Sequence, residues 1–200
     1  MKPGWGKCRV LLVCLLVFAA SSVGFAAETA AQKATAAADD TTRWYDCKDL
    51  VVEGKGWTDT KAFYDRLPAK AEGVVTSSVW GLSHDSAGMC VPFSTDAPSI
   101  EVRWTLINAN LSMPHMPATG VSGVDLYAKD KSGRWYFVAN GRPGATTNTA
   151  RFSPPAGQPC LLYLPLYNGV TSVEIGLPKG TTLSVPDAAA IKQRKPIVFY

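Results

Sequence analysis

The sequence lacks the short motifs by which most acyl-transfer, phosphate-binding and metal-dependent enzymes are identified. It contains no Gly-x-Ser-x-Gly, no His-Glu-x-x-His and no glycine-rich phosphate loop, and it has two histidines in 200 residues. Without these motifs the chain shows neither an activated nucleophile nor a metal-ligand spacing. From the residues alone we predict no catalytic residue, no metal and no cofactor.

One stretch, Ser83-His84-Asp85, does contain the three residue types of a hydrolytic triad. Adjacent side chains on an extended segment point in different directions, and triads are assembled from residues that are distant in sequence. We therefore predict that these three neighbours do not form a triad.

Charge of one sign is also scarce, because 20 lysines and arginines stand against 16 aspartates and glutamates. No basic run is present that could follow a phosphate backbone. Nucleic-acid binding depends mainly on such positive charge. We predict no nucleic-acid partner.

The N-terminus has the pattern of a secretory signal peptide. Lys2, Lys7 and Arg9 precede the apolar stretch Val10 to Ala20, and Gly24-Phe25-Ala26 is an acceptable cleavage site. The apolar stretch is too short and wrongly flanked for a membrane span. We expect residues 1–26 to be removed, residues 27–43 to form a disordered leader, and the mature chain to be exported to the periplasm or the extracellular space.

Cysteine is sparse once the signal peptide is removed, leaving Cys47, Cys90 and Cys160 without any Cys-x-x-Cys pair. An exported chain could form one disulfide and keep one free thiol. We favour the alternative that the three residues are buried small hydrophobic groups, which is common for cysteine.

Helical periodicity is nearly absent, and short alternating segments dominate from Trp44 onward. We predict a single antiparallel β-sandwich over residues 44–185. Asp130–Gly133 and Asn168-Gly169 are each predicted to close a hairpin. Pro92 is predicted to lie at an edge or bulge, and Asp59 to Leu67 could hold one short helix. The positions predicted to be buried are Ile100, Val102, Trp104, Leu106, Leu126 and Ile175.

Two features suggest binding rather than catalysis. The mature chain contains five tryptophans, and we favour a role for them in the core over a role in stacking on sugar rings. The second feature is Met113 to Gly120, where two prolines flank His115 and make the loop stiff. For this loop a structural crossover and a binding loop remain equally open. The five tryptophans are Trp44, Trp57, Trp80, Trp104 and Trp135.

Gly123-Val124-Asp125-Leu126-Tyr127 resembles the Gly-x-Asp-Leu-Tyr signature of a domain found at the N-terminus of secreted bacterial SGNH (GDSL-like) esterases. The surrounding "MPHMPATGVSGVDLYAKD" and "LLYLPLYNGVTSVEIGLP" are similar to the same family, and so are "WYDCKDLVVEGKGW" and "YDRLPAKAEGVV". The resemblance implies a jelly-roll-like sandwich that precedes a catalytic SGNH domain. It further implies ester hydrolysis, with deacylation of carbohydrate as the expected reaction, by that second domain.

The resemblance also gives an expectation for the C-terminus. The catalytic domain of such esterases begins with a strand similar to Lys195–Tyr200, followed by the nucleophilic serine. We therefore expect residues 186–200 to be a linker and the first strand of a catalytic domain that this chain lacks, whether as a fragment or as a true truncation. The alternative is a stand-alone carbohydrate-binding sandwich.

Within the resembling block, we assign Gly123, Asp125, Leu126 and Tyr127 to a structural motif. Asp125 is expected to brace the preceding loop by accepting backbone N–H groups. His115 and Met116 are the candidate residues for binding or for contact with the catalytic domain.

Overall fold

The computed structural model describes residues 41–186. The predicted signal peptide, the leader up to residue 40 and residues 187–200 lie outside the described residues. The first strand begins at Thr42, two residues before Trp44, where order was expected to start.

The regular secondary structure of the described residues is mainly strand, with two short α-helices, α1 (Ser77–Leu82) and α2 (Ala118–Ser122), and two single turns of 3-10 helix at Cys47–Asp49 and Ala69–Ala71. The strands are β1 (Thr42–Asp46), β2 (Cys90–Thr95), β3 (Ile100–Leu106), β4 (Val124–Lys129), β5 (Trp135–Gly141), β6 (Thr147–Phe152), β7 (Cys160–Tyr163), β8 (Val170–Pro178) and β9 (Leu183–Ser184).

The strands form two sheets, and every pairing between them is antiparallel. One sheet has the order β1-β8-β3-β6 and the other the order β5-β4-β7-β2-β9. Successive strands mostly alternate between the two sheets, so the core forms between them from the inward positions of both. The predicted antiparallel β-sandwich is confirmed.

Strand β3 shows why these residues form a half-buried strand. Its burial alternates strictly along seven residues, with the apolar side chains inward and Glu101, Arg103 and Thr105 outward. All six positions predicted to be buried are at most 2% exposed. Trp104 lies at the centre, where its indole N–H donates to the carbonyl of Ser122 at 3.1 Å.

The first predicted hairpin is confirmed. β4 and β5 pair from Val124 opposite Gly141 to Lys129 opposite Trp135. In the turn, Gly133 has a φ of +84°. The Asp130 carboxylate accepts from the backbone N–H groups of Ser132 and Arg134. Hydrogen bonds from Ser132 and Arg134 lower the pKa of Asp130. The largest contribution comes from the side-chain hydroxyl of Ser132, which also bonds to this carboxylate.

The second predicted hairpin is wrong. β7 pairs with β4 and β2, whereas β8 belongs to the other sheet, so Asn168-Gly169 lies in a crossover between sheets. Asn168 is fully buried, and its side-chain amide pairs with both backbone groups of Asn108 at 3.0–3.1 Å. It also donates to the Ser122 hydroxyl. The asparagine therefore satisfies buried polar groups instead of forming a tight turn.

The remaining fold expectations have mixed outcomes. Pro92 lies opposite Leu161 of β7, while β9 covers only Ser94 and Thr95, so the proline is in the part of β2 that no described strand flanks on its second side. Asp59 to Leu67 contains no helix. There the Asp65 carboxylate accepts from the backbone N–H of Ala62, and this local bond competes with helix formation.

The cysteine prediction is confirmed, because Cys47, Cys90 and Cys160 are at most 5% exposed. Burial raises the pKa of the Cys160 thiol to about 11. The core assignment of the tryptophans holds for Trp104 and is wrong for the set. Trp57 and Trp135 are 46% and 43% exposed, because a loop and the edge strand β5 place them at the surface.

Candidate functional site

The Gly-x-Asp-Leu-Tyr segment lies on β4 and alternates between the two faces of the five-stranded sheet. Val124 and Leu126 point into the sandwich core and are 0% exposed. Asp125 and Tyr127 consequently lie on the outer face, where they are half-buried. Packing in the core therefore explains why Val124 and Leu126 are apolar, but it does not explain the presence of Asp125 and Tyr127 in the motif.

Asp125 and Tyr127 line a cavity of about 490 Å³ on this outer face. Its walls come from neighbouring strands β4, β5 and β7, from α2 and from the segment after β7. Asp125 is the one charged residue among them. The other lining residues are Thr119, Gly120, Gly123, Tyr127, Trp135, Leu161, Tyr163, Leu164 and Leu166.

Gly123 permits the close approach of α2 that forms one wall. A Cβ at this position would lie 2.4 Å from the carbonyl oxygen of Thr119 and 2.9 Å from that of Gly141. Both contacts involve backbone atoms, which cannot move without shifting α2 or β5. Any side chain at residue 123 would therefore displace the helix that carries Thr119 and Gly120.

Asp125 is held by a short polar network. The Asn140 side-chain amide donates to Asp125 Oδ1 at 2.6 Å and to the Thr119 carbonyl at 3.4 Å. The carboxylate therefore braces the loop through Asn140, and not by accepting its backbone N–H groups as the sequence suggested. This network fixes the orientation of the carboxylate at the cavity wall.

The aromatic walls are packed edge to face. The ring of Tyr127 lies 5.6 Å from those of Phe137 and Tyr163, at angles of 73° and 79°. The Lys129 ammonium lies 5.1 Å from the centre of the Trp135 ring. Burial raises the pKa of Tyr163, with smaller contributions from Cys90, Glu53 and Tyr127.

His115 and Met116 do not line this cavity. Met113 and Met116 are joined by two backbone hydrogen bonds, and the turn between them exposes His115 to solvent. The Met116 side chain packs against Gly120, 3.1 Å from the position that a Cβ would occupy there. The structure thus brings Gly123, Asp125 and Tyr127 to one site that does not include His115.

Two residues of the triad-like stretch, Ser83 and His84, make hydrogen bonds to residues outside it. The Ser83 hydroxyl donates to the Trp80 carbonyl at 2.7 Å, and His84 Nδ1 lies 2.8 Å from Asp65 Oδ1. Burial raises the pKa of Asp85. The Ser83 hydroxyl and the His84 ring therefore bond to Trp80 and Asp65 and not to each other.

Within residues 41–186 no cluster of three or more histidine, cysteine or carboxylate side chains has the arrangement of a metal site. The helices of this part of the chain are also too short or too polar to cross a membrane.

Sequence reasoning missed most of the cavity wall, including Trp135, Tyr163 and the three leucines. The period-two pattern held a signal for part of it, since Leu161 and Tyr163 alternate with the buried Leu162 along β7. The sequence of the segment after β7 shows no such alternation, and no sequence pattern indicates that α2 packs against this face. Those parts depend on contacts between distant residues.

Comparison with known proteins gives a family match over residues 42–183, described as GxDLY, the N-terminus of Esterase_SGNH_hydro-type. No curated protein matches the chain. Among solved structures, one described as a GDSL-like lipase from Bacteroides ovatus is similar, with 28% identity and a TM-score of 0.67 over 73% of this chain. The salicylyl-acyltransferase SsfX3 of a tetracycline biosynthetic pathway is similar at 19% identity over 74% of this chain, with a TM-score of 0.49. The present chain spans 43% of the length of each of these two proteins.

Proposed function

Because the chain belongs to the GxDLY family, the N-terminal domain of SGNH-type esterases, we propose that it is a non-catalytic accessory domain of an exported ester hydrolase. A C-terminal SGNH domain would carry out the hydrolysis. The observation that carries this proposal is the family match over nearly all of the described residues. In the similar GDSL-like lipase the match covers only 43% of the chain, which leaves room there for a second domain and supports one here.

Further parts of the proposal have their own support. The strand orders β1-β8-β3-β6 and β5-β4-β7-β2 favour the jelly-roll-like arrangement that the resemblance implies. The charge and hydropathy of residues 1–26 favour export. The proposed division places an N-terminal signal peptide and leader before the sandwich, and a linker leading to the catalytic domain after it.

The proposed substrate of the whole protein is an acylated carbohydrate. The sandwich contributes an outer face rich in exposed aromatic side chains, which can stack on the apolar faces of sugar rings. Hydrolysis would release the acyl group and leave the sugar hydroxyl free. In this scheme the sandwich contributes binding, and the C-terminal domain contributes the nucleophile, the base and the oxyanion donors.

We assign His115 and Met116 to the contact between the two domains. Their loop is fixed by Pro114 and Pro117 and by the paired backbone bonds of Met113 and Met116, so presenting His115 costs little conformational entropy. His115 is exposed to solvent. Replacing it with alanine should leave the melting temperature of the sandwich unchanged and lower the activity of the two-domain enzyme.

The test begins with the reading frame beyond codon 200. If it continues into a Gly-x-Ser segment and later an Asp-x-x-His-like segment, we would express the full-length protein and measure hydrolysis of 4-nitrophenyl acetate and of acetylated xylan. We expect turnover by the full-length protein and none above background by the 200-residue chain. Turnover by the short chain that Ser83→Ala abolishes would contradict the proposal.

A second candidate function is a stand-alone carbohydrate-binding sandwich. The aromatic cavity favours it, because such a site requires no second domain. A stop codon after residue 200, together with a secreted protein of this length, would support the binding module over the esterase.

A further inference from the structure

We propose that the outer-face cavity lined by Asp125, Tyr127, Trp135 and Tyr163 binds one neutral pyranose ring of a carbohydrate. This inference deepens the proposed function, on which it rests for the wider substrate class, by assigning the sugar to a particular site. The site lies on the outer face of the five-stranded sheet.

The size and composition of the cavity suit a small organic ligand. Its volume of about 490 Å³ falls within the range of roughly 300–1,000 Å³ that is usual for ligand pockets. Its lining is largely aromatic and aliphatic, with a few polar groups from Asp125, Thr119 and the tyrosine hydroxyls. Sites of this kind use apolar walls for contact area and isolated polar groups for orientation.

Asp125 is the polar group best placed to select hydroxyl groups. An ionised carboxylate only accepts hydrogen bonds, and its two oxygens offer about four acceptor positions. The Asn140 amide occupies one of them and fixes the group in place. A sugar hydroxyl can donate to the remaining positions, and the Thr119 hydroxyl can accept from or donate to a neighbouring hydroxyl.

The same carboxylate argues against an acyl chain in the cavity. An alkyl chain would remove water from Asp125 without replacing its hydrogen bonds, which is costly for a charged group. An anionic ligand would be repelled by it. A sugar ring avoids both penalties because its edge is hydroxylated while one or both faces present C–H groups to the aromatic walls.

The position of Lys129 argues against a cationic ligand. Aromatic walls with one carboxylate also suit alkylammonium groups. Here, however, the Lys129 ammonium already lies over the Trp135 ring, 5.1 Å from its centre. A second cation beside the same ring would experience like-charge repulsion from Lys129. A neutral ligand therefore fits best.

The test is a titration of the 200-residue chain with xylose, glucose and N-acetylglucosamine and with their oligomers. Tryptophan fluorescence and saturation-transfer NMR report binding without any need for esterase activity. We expect saturable binding of at least one of these sugars. Trp135→Ala and Asp125→Asn should each raise its Kd about tenfold or more.

Trp57→Ala is the matched control, because Trp57 is as exposed as Trp135 and does not line the cavity. It should change the Kd by less than about twofold. The inference is wrong if no sugar binds saturably, if tetramethylammonium or butyrate binds in preference to every sugar, or if Trp57→Ala weakens binding as much as Trp135→Ala. If the full-length protein showed no esterase activity, the proposed function would be refuted, while the sugar-binding result would still stand.

Discussion

The two faces of the five-stranded sheet differ in what they require of adjacent residues. On β4, Val124 and Leu126 are fully buried against the other sheet, whereas Asp125 and Tyr127 line a solvent-facing cavity. Because successive side chains of a strand point to opposite faces, one five-residue motif contributes to both. The inner positions stabilise the sandwich, and the outer positions are available for recognition.

The inner face should show the largest effect on stability. We expect Leu126→Ala to lower the free energy of unfolding by about 2–5 kcal/mol, since it leaves a cavity in a fully packed core. Tyr127→Ala, one residue further along, should cost about 1 kcal/mol, mainly through its lost edge-to-face contacts. Urea unfolding followed by circular dichroism measures both values. Equal losses would show that the outer face is also part of the core.

The crossover between the sheets provides the next contrast. Asn168→Ala should lower the free energy of unfolding by about 1–3 kcal/mol, because it removes a buried amide that pairs with the backbone of Asn108 and leaves the buried Ser122 hydroxyl without this partner. Gly133→Ala in the exposed β4–β5 turn, where φ is +84°, should cost only about 1 kcal/mol. If Asn168→Ala had the smaller effect, the buried amide would not be holding the crossover.

On the outer face, Asp125→Ala should lower stability by about 1 kcal/mol, because Asn140 loses its carboxylate partner and the support of the Thr119 carbonyl weakens. Asp125→Asn keeps a hydrogen-bond acceptor and should recover most of this loss. Thermal unfolding of the two variants beside the parent chain provides the measurement. A larger loss than that of Leu126→Ala would make Asp125 a core residue in energetic terms.

A pH-dependent contrast concerns Cys160 on the inner face. Burial raises its pKa from 9.0 to about 11, so the folded state holds its proton more tightly than the unfolded state. The resulting contribution to stability is fully present below pH 9 and is lost as the pH rises through about 11.

Unfolding in urea at pH 8 and at pH 10.5 should therefore show a lower midpoint at the higher pH. In Cys160→Ala this dependence should be reduced. Labelling of Cys160 by a thiol reagent at pH 8 should be slow in the native protein and rapid in urea. Rapid labelling of the native protein would place Cys160 at the surface.

Part of the site could be predicted because its signals are local. The hairpin turn at Asp130–Gly133 forms from a side chain that bonds to its own neighbours, and the alternation of β3 and β4 follows from strand geometry alone. Gly123, Asp125 and Tyr127 were found through the motif that contains them. Trp135 was assigned wrongly to the core because an apolar side chain in a strand gives no information about whether its sheet face is covered.

The sequence by itself determined the fold class, the buried positions of β3 and the family, since period-two patterning and a contiguous motif can be read from neighbouring residues. Only the tertiary structure decided which sheet each strand joins. Asn168-Gly169 satisfies every local rule for a tight hairpin, yet the pairing of β8 with β1 and β3 separates it from β7. The same long-range pairings bring α2, β5 and β7 around Asp125, because the free energy of strand pairing and core burial depends on contacts between residues far apart in the chain.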